Sequence, residues 1–216
     1  MPKPDNLIKG SWKNVYEWFE GSSEEAKEYG SNFYYNAHNI ATEVGYQLGL
    51  TGYEATKVGS AIIAVFSPRT DWDKNVEYAF EYVNTGWVQN QTQINNAKAS
   101  LLVAGHDPMT VMGRTSYKVK PFFKAILSPD EDNEVTDLMG FRKPVKLAVV
   151  DRHVGGVYYG KPLKEFQRHY LGYWRVTRRI SNANFKVARE FNLPVNVIQA
   201  VTWAEFRNQY KYAKST

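Results

Sequence analysis

Phe33, Tyr34, Ala37, Ile40, Ala41, Val44 and Leu48 recur at intervals of three and four residues. That spacing is the period of one buried face of an α-helix, and a pleated strand, whose side chains alternate, cannot present it. Ser22-Ser23-Glu24-Glu25 places capping hydroxyls and first-turn carboxylates ahead of this helix, and Gly49 with Thr51-Gly52 ends it near Leu50. The same period governs the rest of the chain. Trp12 to Phe19 reads as a short amphipathic helix, and Tyr53 to Phe66 as a third, whose V-G-S-A-I-I-A-V-F stretch marks it as central. After S-P-R-T-D-W-D-K-N a helix runs to about Thr85. Another follows Q-N-Q-T-Q-I-N-N as far as Ala104. The segment K-V-K-P-F-F-K-A-I-L forms a further helix, since Pro121 fits only near a helix start. Ser128 to Glu134 is an acidic surface loop. Beyond it the pattern predicts helices at His153 to Tyr159, at Leu163 to Phe191 with a break near Asn182, and at Pro194 to Tyr212. Alternation is short everywhere, and only Val145 to Val150 is rich in β-formers. The expected class is all-α, without internal repeats.

One segment departs from simple core-building. Lys146 to Gly160 reads K-L-A-V-V-D-R-H-V-G-G-V-Y-Y-G, so that a single carboxylate, Asp151, follows four uncharged apolar residues and opens a helix. Two readings hold at this position. A side-chain oxygen there caps free backbone amides. A carboxylate at an apolar boundary, with His153, Gly155, Gly156, Tyr158 and Tyr159 close by, also suits chemistry. His153 itself reads as a packing or capping group.

Composition bounds the remaining choices. With 216 residues, the chain is long enough to bury about 70% of its unfolded surface without covalent staples. Cysteine is absent, which excludes disulfides, thiolate metal sites and cysteine-held iron–sulfur clusters. The four histidines (38, 106, 153, 169) show no ligand spacing, so neither metal nor cofactor is expected. MPKPDNLIKG has no apolar core for a signal peptide, and no run of 18 uncharged apolar residues occurs. A soluble, cytoplasmic monomer with no membrane contact is expected. Of 27 Lys/Arg and 22 Asp/Glu, 12 and 4 fall from Asp151 onward, a net +8, leaving 15 and 18, or −3, before it. A basic C-terminal third of this kind suits a polyanion.

Four separated segments, in order, carry a family resemblance. A-V-F-S-P-R-T-D-W-D-K-N-V-E-Y-A at 64 to 79, I-N-N-A-K-A at 94 to 99, K-L-A-V-V-D-R-H-V at 146 to 154 and Q-A-V-T-W-A-E-F-R at 199 to 207 resemble motifs of the helix-hairpin-helix DNA glycosylase superfamily, in its endonuclease III-like branch. The resemblance implies two helical lobes with a central cleft: a middle lobe of residues 50–146, and a second made of 1–49 joined to 147–216. It also implies double-stranded DNA as partner and a minimal, phage-type variant without the iron–sulfur cluster, acting in the host cytoplasm.

Roles follow residue by residue. Asp151 matches the family's catalytic carboxylate, and Lys118 is the nearest match to the lyase nucleophile. Arg69 stands where the family places a residue that fills the space left by a flipped base. Lys98, Arg114, Arg152, Arg175, Arg178 and Arg179 are the expected DNA contacts. The family's hairpin, L-P-G-V-G-R-K-T-A, corresponds to V-M-G-R-T-S-Y-K-V here, with one glycine in place of two. The expected activity is N-glycosylase chemistry on a flipped-out base, with lyase activity where a Lys118 amine attacks the sugar. Group transfer onto a thymine-derived base, as in phage DNA hypermodification, and a non-catalytic DNA-binding module are the alternatives.

Overall fold

The computed structural model describes residues 10–113, 116–132, 134–135 and 145–212, apart from the side chains of 211 and 212. These residues form eleven α-helices and one two-stranded ribbon, so the class is all-α. The helices are α1 (Trp12–Glu20), α2 (Glu24–Gln47), α3 (Gly52–Phe66), α4 (Trp72–Thr85), α5 (Gln93–Val103), α6 (Pro108–Val111), α7 (Val119–Leu127), α8 (Arg152–Tyr159), α9 (Glu165–Arg168), α10 (Trp174–Phe191) and α11 (Val195–Tyr212). The β-rich run near Val145 contributes only Val145–Lys146, paired with Glu134–Val135, and continues as extended chain.

The chain divides into two compact units. Among the described residues the first holds 10–33, 130–132 and 146–212, and the second holds 34–113, 116–129, 134–135 and 145. The division runs through α2, between Phe33 and Tyr34.

In the second unit α3 is the centre. Every residue from Val58 to Phe66 is buried, as its uncharged sequence requires, and α4, α5 and α7 pack around it. Its contact with α2 is made by glycine. A Cβ on Gly59 would overlap the backbone carbonyl of Ala41, and one on Gly45 that of Ala55, so the two helices approach backbone to backbone. Thr42 and Thr56 share a hydroxyl–hydroxyl hydrogen bond of 2.7 Å across the same crossing.

The first unit is built on aromatic packing. Phe19 meets Phe191 at 4.7 Å between ring centroids, Trp18 meets Phe206 at 5.0 Å, and Phe206 meets Tyr210 at 4.5 Å. Val15, Val157, Val187, Ile198 and Val201 fill the space between α1, α8, α10 and α11. The helix expected over Leu163 to Phe191 is two helices, and the interruption is not at Asn182. Asn182 is exposed within an unbroken α10, where its side chain faces water and leaves the backbone ladder alone. The break falls at His169–Gly172, a 3-10 turn, and at Tyr173, which is extended. Thr177 stabilises it by donating its hydroxyl to the Leu171 carbonyl at 2.7 Å.

Candidate functional site

The four residues before Asp151 are buried, from Leu147 at 0% exposure to Val150 at 4%. Ala148 and Val150 anchor the chain in the core of the first unit, so Asp151 emerges half-buried at the first turn of α8. Its Oδ1 accepts from the backbone N–H groups of His153 at 2.8 Å and Val154 at 2.9 Å. This is the helix cap that the sequence allowed. The second oxygen is also held: Trp203 Nε1, 52 residues downstream in α11, donates to Oδ2 at 3.1 Å. A cap requires one oxygen. The indole fixes the other, and with it the plane of the carboxylate.

Trp203 sits in a shell of rings and cations. The Phe33 ring lies 5.8 Å from it and His153 6.3 Å, nearly perpendicular, while the Arg207 guanidinium lies 5.1 Å over its face. Arg152 is exposed, and its Nε donates to His153 Nε2 at 3.0 Å. The glycine pair has a packing cause. A Cβ on Gly156 would overlap the Phe206 ring, and one on Gly155 would stand 2.9 Å from both Leu163 and Leu171. Helix α8 thus accepts α11 and the segment after Gly160 at close range.

Helix α10 packs against α8 through an apolar cluster of Val150, Val154, Val176 and Ile180. Its opposite side carries Arg175, Arg178 and Arg179, all exposed. The structure therefore places Asp151, Arg152 and these three arginines in one unit, the basic helix against the helix that the carboxylate caps. No ion pair with another described residue engages Arg175 or Arg178.

The remaining candidates belong to the second unit. Arg69 is exposed in the turn between α3 and α4, with φ 62, in the left-handed region that few residues other than glycine occupy. Ser67 and Thr70 close this turn through their hydroxyls, to the carbonyls of Ala64 at 2.9 Å and Pro68 at 3.2 Å. Lys118 is half-buried, and its Nζ donates to the Ser67 carbonyl at 3.2 Å, which ties it to the Arg69 turn. Burial raises the Tyr117 phenol next to it above its ordinary value. Lys98 is half-buried on α5. Arg114 lies outside the described residues.

Sequence reasoning passed over two residues. Trp203 has no assigned role in the sequence beyond its place in the segment at 199 to 207, because a hydrogen bond across 52 positions leaves no local trace. Lys120, only 1% exposed, is among the largest fully buried side chains. Its signal was readable: Lys120, Phe123 and Leu127 recur at three and four on the apolar side of α7, and lysine is rarely buried so completely. Among the described residues no group of three or more His, Asp or Glu could hold a metal ion, and no helix is long and apolar enough to cross a membrane.

Residues 5–210 match the model of a family of unknown function, DUF7178, and the chain belongs to that family. No curated protein and no solved structure matches it.

Proposed function

We propose that this protein binds double-stranded DNA and acts on a base rotated out of the stack, with Asp151 serving the reaction and N-glycosidic cleavage as its chemistry. The observation that carries the reading is the double clamp on Asp151: two backbone amides on one oxygen, the Trp203 indole on the other. Supporting it are the exposed arginines of α10 and the ordered match of four segments to glycosylase motifs.

Cleavage of the sugar–base bond sends the bonding electrons to the leaving base and builds positive charge on the sugar. An ionised carboxylate facing that carbon stabilises the charge, or takes a proton from the water that replaces the base. Rotating the base out costs a few kcal/mol, and contacts to the phosphate backbone offset that cost. Lys118 serves the lyase variant, in which an amine forms a Schiff base with the sugar carbon. Its donor contact to Ser67 holds the group in the turn that also carries Arg69.

The test is nucleoside mass spectrometry, with an abasic-site assay, on DNA incubated with the protein. Free base together with abasic sites supports excision. A nucleoside of changed mass with an intact sugar–base bond means group transfer. Binding without any change in the nucleosides leaves a DNA-binding module and removes the enzymatic reading.

A further inference from the structure

Between Lys161 and Arg179 six Lys/Arg stand against one Asp/Glu, and the Asp151 chemistry uses none of them directly. Aromatic rings are interleaved with these charges. Phe166 is 55% exposed and Tyr173 is 44% exposed, two of the larger apolar side chains given to water in the first unit.

The segment is held in one conformation. Arg168 Nε donates to the Leu163 carbonyl at 3.1 Å, the Lys164 N–H donates to Gln167 Oε1 at 2.8 Å, and Thr177 closes the turn at Leu171. Leu163 and Leu171 seat it in the space left by Gly155. Tyr173 is braced by His169 and Tyr170, whose ring centroids lie 5.8 and 5.9 Å away. Arg175 and Arg178 rise from the helix that begins at the next residue.

From this we infer that the surface of α9, the 3-10 turn and the start of α10 is a binding site for unpaired DNA nucleotides, whose bases stack on Phe166 and Tyr173 while the basic side chains take the phosphates. The inference rests on the DNA reading above and extends it to the strand state of the substrate. In a duplex each base already has neighbours on both faces, so exposed rings gain nothing there; unpaired bases offer a free face to any ring. A purely duplex-binding surface needs the charges and not the rings. Six cations against one carboxylate suit a polyanion better than a protein partner.

The experiment measures fluorescence anisotropy of labelled oligo-dT and of a blunt duplex, over a range of salt, with the full chain. Stacking on two rings is strong enough that the Phe166→Ala/Tyr173→Ala protein should bind oligo-dT about tenfold or more weakly. Its duplex affinity and salt slope should stay as they were. The Phe166→Leu/Tyr173→Leu protein keeps apolar area without the rings and should be as weak on oligo-dT as the alanine variant; full rescue by leucine would overturn stacking. Equal losses on oligo-dT and duplex, or no loss on either with an unchanged melting curve, would also overturn the inference. Base excision from duplex DNA by a protein whose oligo-dT binding ignores Phe166 and Tyr173 would leave the enzymatic reading and remove this one. Ring-dependent oligo-dT binding with every nucleoside intact would do the reverse.

Discussion

From Val58 to Phe66 helix α3 turns no side to water, whereas α10 buries Val176, Ile180 and Val187 on one face and gives Arg175, Arg178 and Arg179 to solvent on the other. The two helices are similar in length, 15 and 18 residues, yet they belong to units organised differently. Around α3 the packing reaches backbone contact at Gly45 and Gly59, so this region has no spare volume. Around α10 aliphatic side chains pack together with rings that tilt against one another, and the arginines on its other side face solvent. The α3 crossing of the second unit is intolerant of added atoms, whereas the solvent face of α10, in the first, is not. The first is most sensitive, in function, to the loss of particular polar groups.

The largest expected effect tests the α3 side of this contrast. Gly59→Leu drives a branched side chain into the Ala41 carbonyl, and should cost about 3 kcal/mol or more, at the upper end of overpacking effects. Arg178→Leu, also a large change, should alter stability by about 0.5 kcal/mol or less, since the side chain is exposed. Chemical denaturation of both proteins checks the pair. Similar losses would mean that the two regions do not differ as described.

Next is the carboxylate. Asp151→Asn keeps a capping oxygen, so stability should change by about 1 kcal/mol or less. It removes the charge, so base-directed activity should fall about a hundredfold or more while DNA binding persists. Trp203→Phe separates the cap from the clamp: the ring remains, the donor to Oδ2 is lost, and activity should fall without loss of the cap. Full activity in a folded Asp151→Asn protein would leave only the cap.

How far such a division could be read in advance depends on the range of the cause. Helix α3 was legible because nine consecutive small or apolar residues force burial whatever surrounds them. The capping role of Asp151 was legible for the same reason, being set by the residues on either side. The Trp203 donor, the packing of Gly59 on Ala41 and the positive φ of Arg69 depend on segments far apart or on turn geometry, and no period records them. The break at His169–Gly172 was misplaced because Asn182 resembles an interruption in composition, while the cause is a threonine hydroxyl reaching back to Leu171.

A smaller effect concerns the basic face. Each phosphate contact contributes about 0.9 to the slope of log affinity against log salt, so Arg175→Ala/Arg178→Ala/Arg179→Ala should flatten that slope by about 2 to 3. Melting should be little changed, because all three side chains are exposed. An unchanged slope would place the DNA face elsewhere and remove the functional side of the comparison.

The smallest effect is at Arg69, and it crosses the contrast, because an exposed residue of the tightly packed unit is held in a conformation unfavourable to it. At φ 62 its Cβ is crowded against the following carbonyl, a cost of roughly 1 to 2 kcal/mol for a residue with a side chain. Arg69→Gly removes that cost but gives the unfolded chain more freedom, worth about 0.4 to 1 kcal/mol in the other direction. The net should be a gain of about 0 to 1.6 kcal/mol. Arg69→Ala retains the Cβ, and with it the strain, so it should gain nothing. Both variants lack the guanidinium, and if Arg69 fills the space of a flipped base, both should lose activity to the same degree while their stabilities diverge. Equal melting temperatures for the two would show that the turn stores no strain at this residue. Undiminished activity in both would take Arg69 out of the reaction and leave it as a residue of the turn.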